Sequence, residues 1–480
     1  MEDTALNKTP KFGIKDKVGY AMGDFGCNMS FALISSYMVD FFTQYIGIGG
    51  LAWSIIIIFT KIWDGINDPI MGTIMDNVKI GKGKSKFKPW IRIGSIGLII
   101  SGALVFLPIP NAANWVKIVV CVVTYLLWDI CYTLLNVPYG ALSNAITSDT
   151  IERAQLSTWR SIGAGLGGVL CMLIPLFVYD KNDNLIGGRF IWIGIIMGII
   201  AFGAYTLCLK LTHERVAVPE VATQKVNYIK TLKSFLRNRP LLGLCLASFA
   251  SIVFLMSSSQ TTKWLFQTHF GEAGIMLTLS SVITYLPLAI FIPFTSKIVK
   301  KFGKRLAVSA PLFLSALGAL ILLVVPVPKG TTGSIIYIAC LACIQAGGGL
   351  FNLLVWAMVN DCIDYQQFKT GEREEGSVYA MYSLFRKVAQ GVAMSLPLLC
   401  MEAVGYNSQA NPISAQAPGV SANMIKVSAG LMLTGAVLML VAFFLVYNLG
   451  RKEVAEISSA LGKQEEEIDV ASLMNANADD

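Results

Sequence analysis

The amino-acid sequence predicts an all-α polytopic membrane protein with twelve transmembrane helices in two pseudo-symmetric six-helix halves. Three observations carry that prediction. The 480-residue chain is 54% hydrophobic and only 14% charged, against roughly a quarter charged in soluble domains, and its mean hydropathy is +0.61. Apolar stretches of about 20 residues, each long enough to cross ~30 Å of hydrocarbon, recur along its whole length. A polar, basic stretch then divides those spans six and six.

Taken in chain order, Met1 to Asp16 is polar and lacks the apolar core of a secretory signal, so 1–16 reads as a cytoplasmic N-terminus. Spans follow near 18–47, 51–75, 91–109, 115–146, 158–179 and 190–211, forming an N-terminal bundle over 17–211. The basic stretch 212–239 is a cytoplasmic central loop. Spans near 240–267, 274–298, 305–326, 334–361, 377–403 and 425–449 make a C-terminal bundle over 240–449, and 450–480 is a cytoplasmic tail that turns acidic at Glu465 to Glu467.

Lysine and arginine set the orientation. Only Lys117, Lys181, Arg189, Lys329 and Lys426 fall in loops on one side, and Lys61, Lys263, Arg386 and Lys387 fall within helices. The rest lie on the side that holds both termini, which is therefore cytoplasmic. The net charge of +8 thus reflects topology, and its spread over several loops argues against a nucleic-acid partner. An internal echo supports two related halves. Gly72 to Asp76 and then Gly81 to Trp90 follow the second span, and Ser296 to Arg305 follows the eighth, each a short basic hinge containing glycine. The two halves are expected to meet around a central cavity.

Some chemistries are disfavoured. The ten cysteines fall almost entirely in apolar spans, and the Cys340-x-x-Cys343 pair sits in a helix, where small-residue packing outweighs redox or metal chemistry. His213 and His269 lie in or near loops, which leaves no histidine relay inside the bundle. Gly163 to Gly168 and Gly347 to Gly349 are too apolar in context for phosphate loops and read as close helix contacts.

The polar residues inside the spans carry the function. Asp64 and Asp68 stand four apart on the second span, with Asn67 beside them and Lys61 one turn before Asp64, where a local ion pair is available. Each acid at mid-membrane costs about 2.5 to 3.5 kcal/mol. A bound cation would offset that cost. The fourth span carries Asp129, Thr133 and Asn136 on one face, and the first carries Tyr20, Asp24 and Asn28. Carboxylate, amide and hydroxyl oxygens on neighbouring helices replace the water shell of a hard cation. Asp64, Asn67, Asp68 and Thr133 supply such a set, with Asp64 and Asp68 as the metal ligands if the ion is sodium. The eleventh span presents Tyr379, Tyr382, Ser383, Arg386, Lys387 and Gln390, groups suited to a sugar or an acid. Asp361 and Asp364 lie towards the cytoplasmic end of the tenth span, where gating or ion pairing is expected.

These residues resemble the glycoside–pentoside–hexuronide:cation symporter family of the major facilitator superfamily, the group of the melibiose carrier. The likeness runs from about 15 to 450. It rests on Gly19-Tyr-Ala-Met-Gly-Asp24, Asp64-Gly-Ile-Asn-Asp68-Pro-Ile-Met-Gly72, Gly83-Lys-Ser-Lys-Phe-Lys-Pro-Trp90, Tyr132-Thr-Leu-Leu-Asn136-Val-Pro138-Tyr-Gly, Arg153 with Arg160, and Asp361-Cys-Ile-Asp364-Tyr. The resemblance implies the major facilitator fold, places Asp64, Asn67, Asp68 and Thr133 at the coupling-cation positions, and implies sugar contacts at Asn28, Asn136, Arg160, Asn352, Tyr382, Ser383 and Lys387. Asp24, Lys61, Asp129 and Arg386 are accessory candidates. The chain departs from the melibiose carrier at Asn28 and Asn136, where that carrier has aspartates, and at Asn352, where it has tryptophan. Amides for acids remove repulsion towards an anionic sugar, and Ser383-Leu-Phe-Arg386-Lys387 is similar to the family's glucuronide carriers. Asp129, a glycine in the melibiose carrier, either adds charge at the cation site or forms a packing ion pair.

The expected activity is therefore symport rather than enzymatic catalysis. Entry of sodium, with proton or lithium as alternatives, drives uptake of a glycoside, pentoside or hexuronide by alternating access, with no cofactor. A monomer in the cell membrane is expected, with the sugar, the cation and the bilayer as its partners. Two other readings share some of the pattern. A lipid or lysolipid symporter of the same branch would keep the cation site but need an apolar lateral opening. An intramembrane prenyltransferase would use Asp64-x-x-x-Asp68 for magnesium, but lacks a second aspartate-rich motif at that depth.

Overall fold

A computed structural model describes residues 10–78, 80, 85–147, 149–216, 237–371, 375–410 and 412–461. Most of the central loop, most of the Gly81–Trp90 motif's glycine-rich start, the first nine residues and the end of the acidic tail lie outside these. Regular structure among the described residues is helical, apart from one isolated bridge between Tyr179 and Leu185. The chain divides into two compact units, residues 1–224 and 225–480.

The first unit contains α1 (Ile14–Asp40), α2 (Gly50–Asn77), α3 (Lys88–Val105), α4 (Asn114–Ile146), α5 (Thr150–Met172) and α6 (Phe190–Leu211). The second contains α7 (Arg239–Leu265), α8 (Ile275–Phe291), α9 (Thr295–Val324), α10 (Thr331–Thr370), α11 (Glu375–Ala403), α12 (Val420–Val441) and a short α13 (Arg451–Ala460). Ten helical segments among the described residues are long and apolar enough to span a membrane. The two long helices outside that set are α1 and α2, of 27 and 28 residues. At 1.5 Å per residue each reaches about 40 Å, enough to span. Charged residues lower their apolarity: Lys15, Asp16, Lys17, Asp24 and Asp40 on α1, and Lys61, Asp64, Asp68 and Asp76 on α2. The twelve-helix expectation is met by these ten and two.

Small residues bring the helices together, as expected for packing without a hydrophobic driving force. A Cβ added at Gly163 on α5 would stand 2.0 Å from the Ala21 carbonyl oxygen of α1, and one at Gly167 would stand 2.5 Å from that of Phe25. The glycine cluster is therefore a close α1–α5 crossing. In the second unit a Cβ at Gly318 of α9 would meet the Cys340 carbonyl oxygen at 3.1 Å and the Cys343 Cβ at 3.4 Å. Both cysteines are free thiols at that crossing, in line with the packing reading.

The second unit's basic hinge is present in the backbone. Gly303 has φ 76 and ψ 160 inside α9, a non-helical break that splits the helix just before Lys304 and Arg305. Positive φ at this point suits glycine and strains any other residue. A second anchor ties α7 to α10: Asn238 accepts from the Leu241 amide at 3.1 Å while its own amide donates to the Cys362 carbonyl at 3.1 Å and to Gln366 at 2.8 Å.

Candidate cation and substrate sites

In the first unit, α2 and α4 face one another with their polar residues aligned. Thr133 Oγ1 donates to Asp68 Oδ1 at 3.1 Å, and Asn67 Nδ2 donates to Asp129 Oδ2 at 3.2 Å. Lys61 Nζ pairs with Asp64 Oδ2 at 3.2 Å and lies 5.7 Å from the Tyr125 ring centroid. Lys61, Asn67, Asp129 and Thr133 are all buried. Helical spacing accounts for the alignment: Lys61, Asp64 and Asp68 descend one face of α2, and Tyr125, Asp129 and Thr133 descend the facing side of α4. All four residues of the expected cation set thus lie along one α2–α4 seam. The local Lys61–Asp64 pair is formed, and Asp129 joins the seam through Asn67.

A second polar group joins α1, α4 and α5. Arg160 Nε donates to Asp24 Oδ1 at 3.1 Å, while Asn28 Nδ2 donates to Asp24 Oδ2 at 3.1 Å and to the Asp24 carbonyl at 3.1 Å. The Arg160 guanidinium also sits over the Tyr139 ring, 5.4 Å from its centroid. Tyr139 is fixed in turn by stacking on Tyr20 at 4.7 Å and by donating its hydroxyl proton to the Tyr20 carbonyl at 2.6 Å. Asn136 lies on α4 with its side-chain oxygen 3.9 Å from Cys27 Sγ. Arg160 is 40% exposed while Asp24 is 9% exposed, so the carboxylate is the buried anchor and the guanidinium is the part that reaches outward.

In the second unit, Tyr382 is buried, its hydroxyl 2.8 Å from Ser248 Oγ on α7. The Arg386 guanidinium lies 5.3 Å from the Trp356 ring centroid and 5.9 Å from that of Tyr382. Asn352 and Ser383 are exposed and Lys387 is half-buried. Asp361 pairs with Lys304 at 2.7 Å, joining α10 to the segment after the Gly303 break. The ion-pair expectation for Asp361 is therefore met; Asp364 is half-buried one turn further on. The side chain of Tyr379 lies outside the described residues.

Three residues complete these groups without having been singled out from sequence, Tyr125, Ser248 and Trp356; Tyr139 and Lys304 stood inside quoted motifs but were given no role there. Tyr125 and Trp356 had a readable signal, each standing four residues from a candidate on the same helix, Asp129 and Asn352. Ser248 had none, because only the packing of α7 on α11 brings it in, and Lys304 was readable as part of the basic hinge but not as the partner of Asp361.

Residues 19–451 match the family described as MFS/sugar transport protein. The chain belongs to that family. It is thus a multi-pass membrane transporter with the major facilitator fold, not an enzyme, and the prenyltransferase reading falls away. Among its relatives, the uncharacterized symporter YjmB of Bacillus subtilis (strain 168) is 31% identical over 404 residues, covering 82% of this chain and 84% of that one. The glucuronide carrier protein homolog of Escherichia coli (strain K12) is 28% identical over 392 residues, covering 81% and 83%. The isoprimeverose transporter of Lactiplantibacillus pentosus is 29% identical over 401 residues, covering 82% and 80%. A solved D-xylose–proton symporter superposes with a TM-score of 0.64 at 14% identity, over 88% of this chain and 96% of that one. At that identity the likeness speaks to the fold alone. Family and relatives together make the chain a sugar or sugar-acid transporter with symporters among its homologues.

Proposed function

We propose that the chain is a secondary active symporter in which entry of a monovalent cation, sodium ahead of proton or lithium, drives uptake of a glycoside, pentoside or hexuronide by alternating access. One observation carries the reading: Asp64, Asn67 and Asp68 of α2 lie along a seam with Asp129 and Thr133 of α4, within a transporter family whose cargo is sugar. Three carboxylates and one lysine crowd a low-dielectric seam, where an isolated charge is costly. A dehydrated sodium ion that accepts oxygens from Asp64, Asp68, Asn67 and Thr133 would relieve that excess of negative charge. A proton on one carboxylate would do so as well, so the amide and hydroxyl are what favour sodium.

Helix α4 supplies the coupling. Thr133 on the cation seam and Asn136 on the sugar side are three residues apart, so a shift of α4 on ion binding moves both. Coupling of this kind is reciprocal and is typically worth about 1 to 3 kcal/mol. Arg160 and Asn28, held by Asp24, would take sugar hydroxyls or an acid group. In this reading the protein sits in the cell membrane with both termini cytoplasmic, an orientation that the excess of basic residues on one side supports.

The test is uptake by proteoliposomes across a panel of glycosides, pentosides and uronides, with sodium, lithium and proton gradients imposed separately. One gradient is expected to drive accumulation, and Asp68→Cys is expected to abolish it. Full accumulation by that variant would remove the cation-site assignment.

A further inference from the structure

The polar face of α10 carries an aromatic residue that the cation and sugar assignments leave without a task. Asn352, Trp356 and Asn360 succeed one another at four-residue spacing, and all three are exposed, Trp356 by 45%. Exposed asparagines on a membrane-spanning helix do not face lipid, where an amide would lose its hydrogen bonds. This face is therefore turned to a polar space, and Trp356 presents indole surface to it. Tyr382 meets Trp356 edge-on, with ring centroids 5.3 Å apart at 74°, and its hydroxyl is tied to Ser248. The indole is thus braced from α11. Arg386 lies against both rings, and the side chain of Ser383, one turn before it, is exposed.

We propose that Trp356 is the sugar-stacking platform of the second unit and that it positions Arg386 to receive the acid group of a sugar acid. The assignment rests on the symport reading above and narrows its substrate class. An indole face takes the C–H face of a pyranose, burying apolar surface that water solvates poorly. The guanidinium lies close to both rings, 5.3 and 5.9 Å from their centroids. Its N–H donors radiate in the plane, the geometry that binds a carboxylate or sulfonate in bidentate fashion. The braced indole reduces the rotamer freedom that Arg386 would otherwise lose on binding. Recognition is then divided between two residues: Trp356 binds the ring of any pyranose, and Arg386 selects the acid.

The experiment uses full-length protein in proteoliposomes and sugar pairs that differ at C6, glucuronate with glucose, galacturonate with galactose, and methyl glucuronide with methyl glucoside. Trp356→Ala is expected to raise KM about tenfold for both members of a transported pair, and Trp356→Phe to keep it within about threefold. Arg386→Gln is expected to raise KM for the acid by about thirtyfold, with less than about threefold change for its neutral partner. Because Trp356→Phe keeps a ring at the site, it separates stacking from a folding defect. Unchanged KM in Trp356→Ala, or equal loss of acid and neutral sugar in Arg386→Gln, would overturn the assignment while leaving symport intact. A wild type that prefers the neutral members would do the same. Absence of wild-type uptake for every pair would overturn the sugar-symport reading and this assignment together.

Discussion

At the scale of single residues, the informative contact is the one between Asn67 and Asp129. The sequence placed Asp129 one turn from Thr133 and left open whether it served the cation or a packing ion pair. Its carboxylate accepts from Asn67 at 3.2 Å, and so reaches the seam through an amide on the facing helix. Asp129→Asn keeps an oxygen that can accept from Asn67 but removes a charge from the seam. The expected result is weaker cation stimulation, with the half-saturating sodium concentration rising about tenfold, the effect of losing roughly 1.4 kcal/mol of attraction. Equal sodium dependence in mutant and wild type would return Asp129 to a packing role. Lys61 was legible as a partner for Asp64 because both lie on one helix three residues apart. The Asn67–Asp129 bond spans 62 residues and had no local signal.

At the scale of elements, the glycines of α5 divide by what they touch. Gly163 and Gly167 press on α1 carbonyls, whereas nothing approaches within 4 Å of the Cβ positions of Gly165 and Gly168. Gly163→Leu is expected to push α1 from α5 and destabilise the unit by about 1 to 3 kcal/mol or more. It would also disturb the Asp24–Arg160 pair that spans the same two helices. Gly165→Leu is expected to be tolerated. Thermal unfolding in detergent distinguishes the two, and equal melting temperatures would remove the close-packing account. The sequence identified the cluster as a helix contact from its apolar setting. It could not separate contacting from non-contacting glycines, because that depends on the rotation of α5 about its axis. The break in α9 is a similar case: the basic hinge was readable, but its placement at Gly303 is a matter of backbone angles.

At the scale of the whole molecule, the chain's alternation of apolar spans and basic loops makes a prediction about sidedness. Lys329 precedes α10 and Lys369 lies in its last turn, at opposite ends of a 40-residue helix. In a background without native cysteines, Lys329→Cys is expected to react with a membrane-impermeant maleimide in intact cells and Lys369→Cys only after permeabilisation. The reverse pattern would invert the topology. What the sequence by itself determined was the membrane class, the twelve helices, the family and the polar residues on the first, second, fourth, tenth and eleventh spans, because hydropathy and helical periodicity are properties of one segment at a time. Tertiary structure alone decided which stripes meet: Asp68 with Thr133, Asn67 with Asp129, Asp24 with Arg160, Trp356 with Arg386. Those pairings depend on the close approach and rotation of helices far apart in the chain. Inside a membrane that geometry settles which buried charge has a partner.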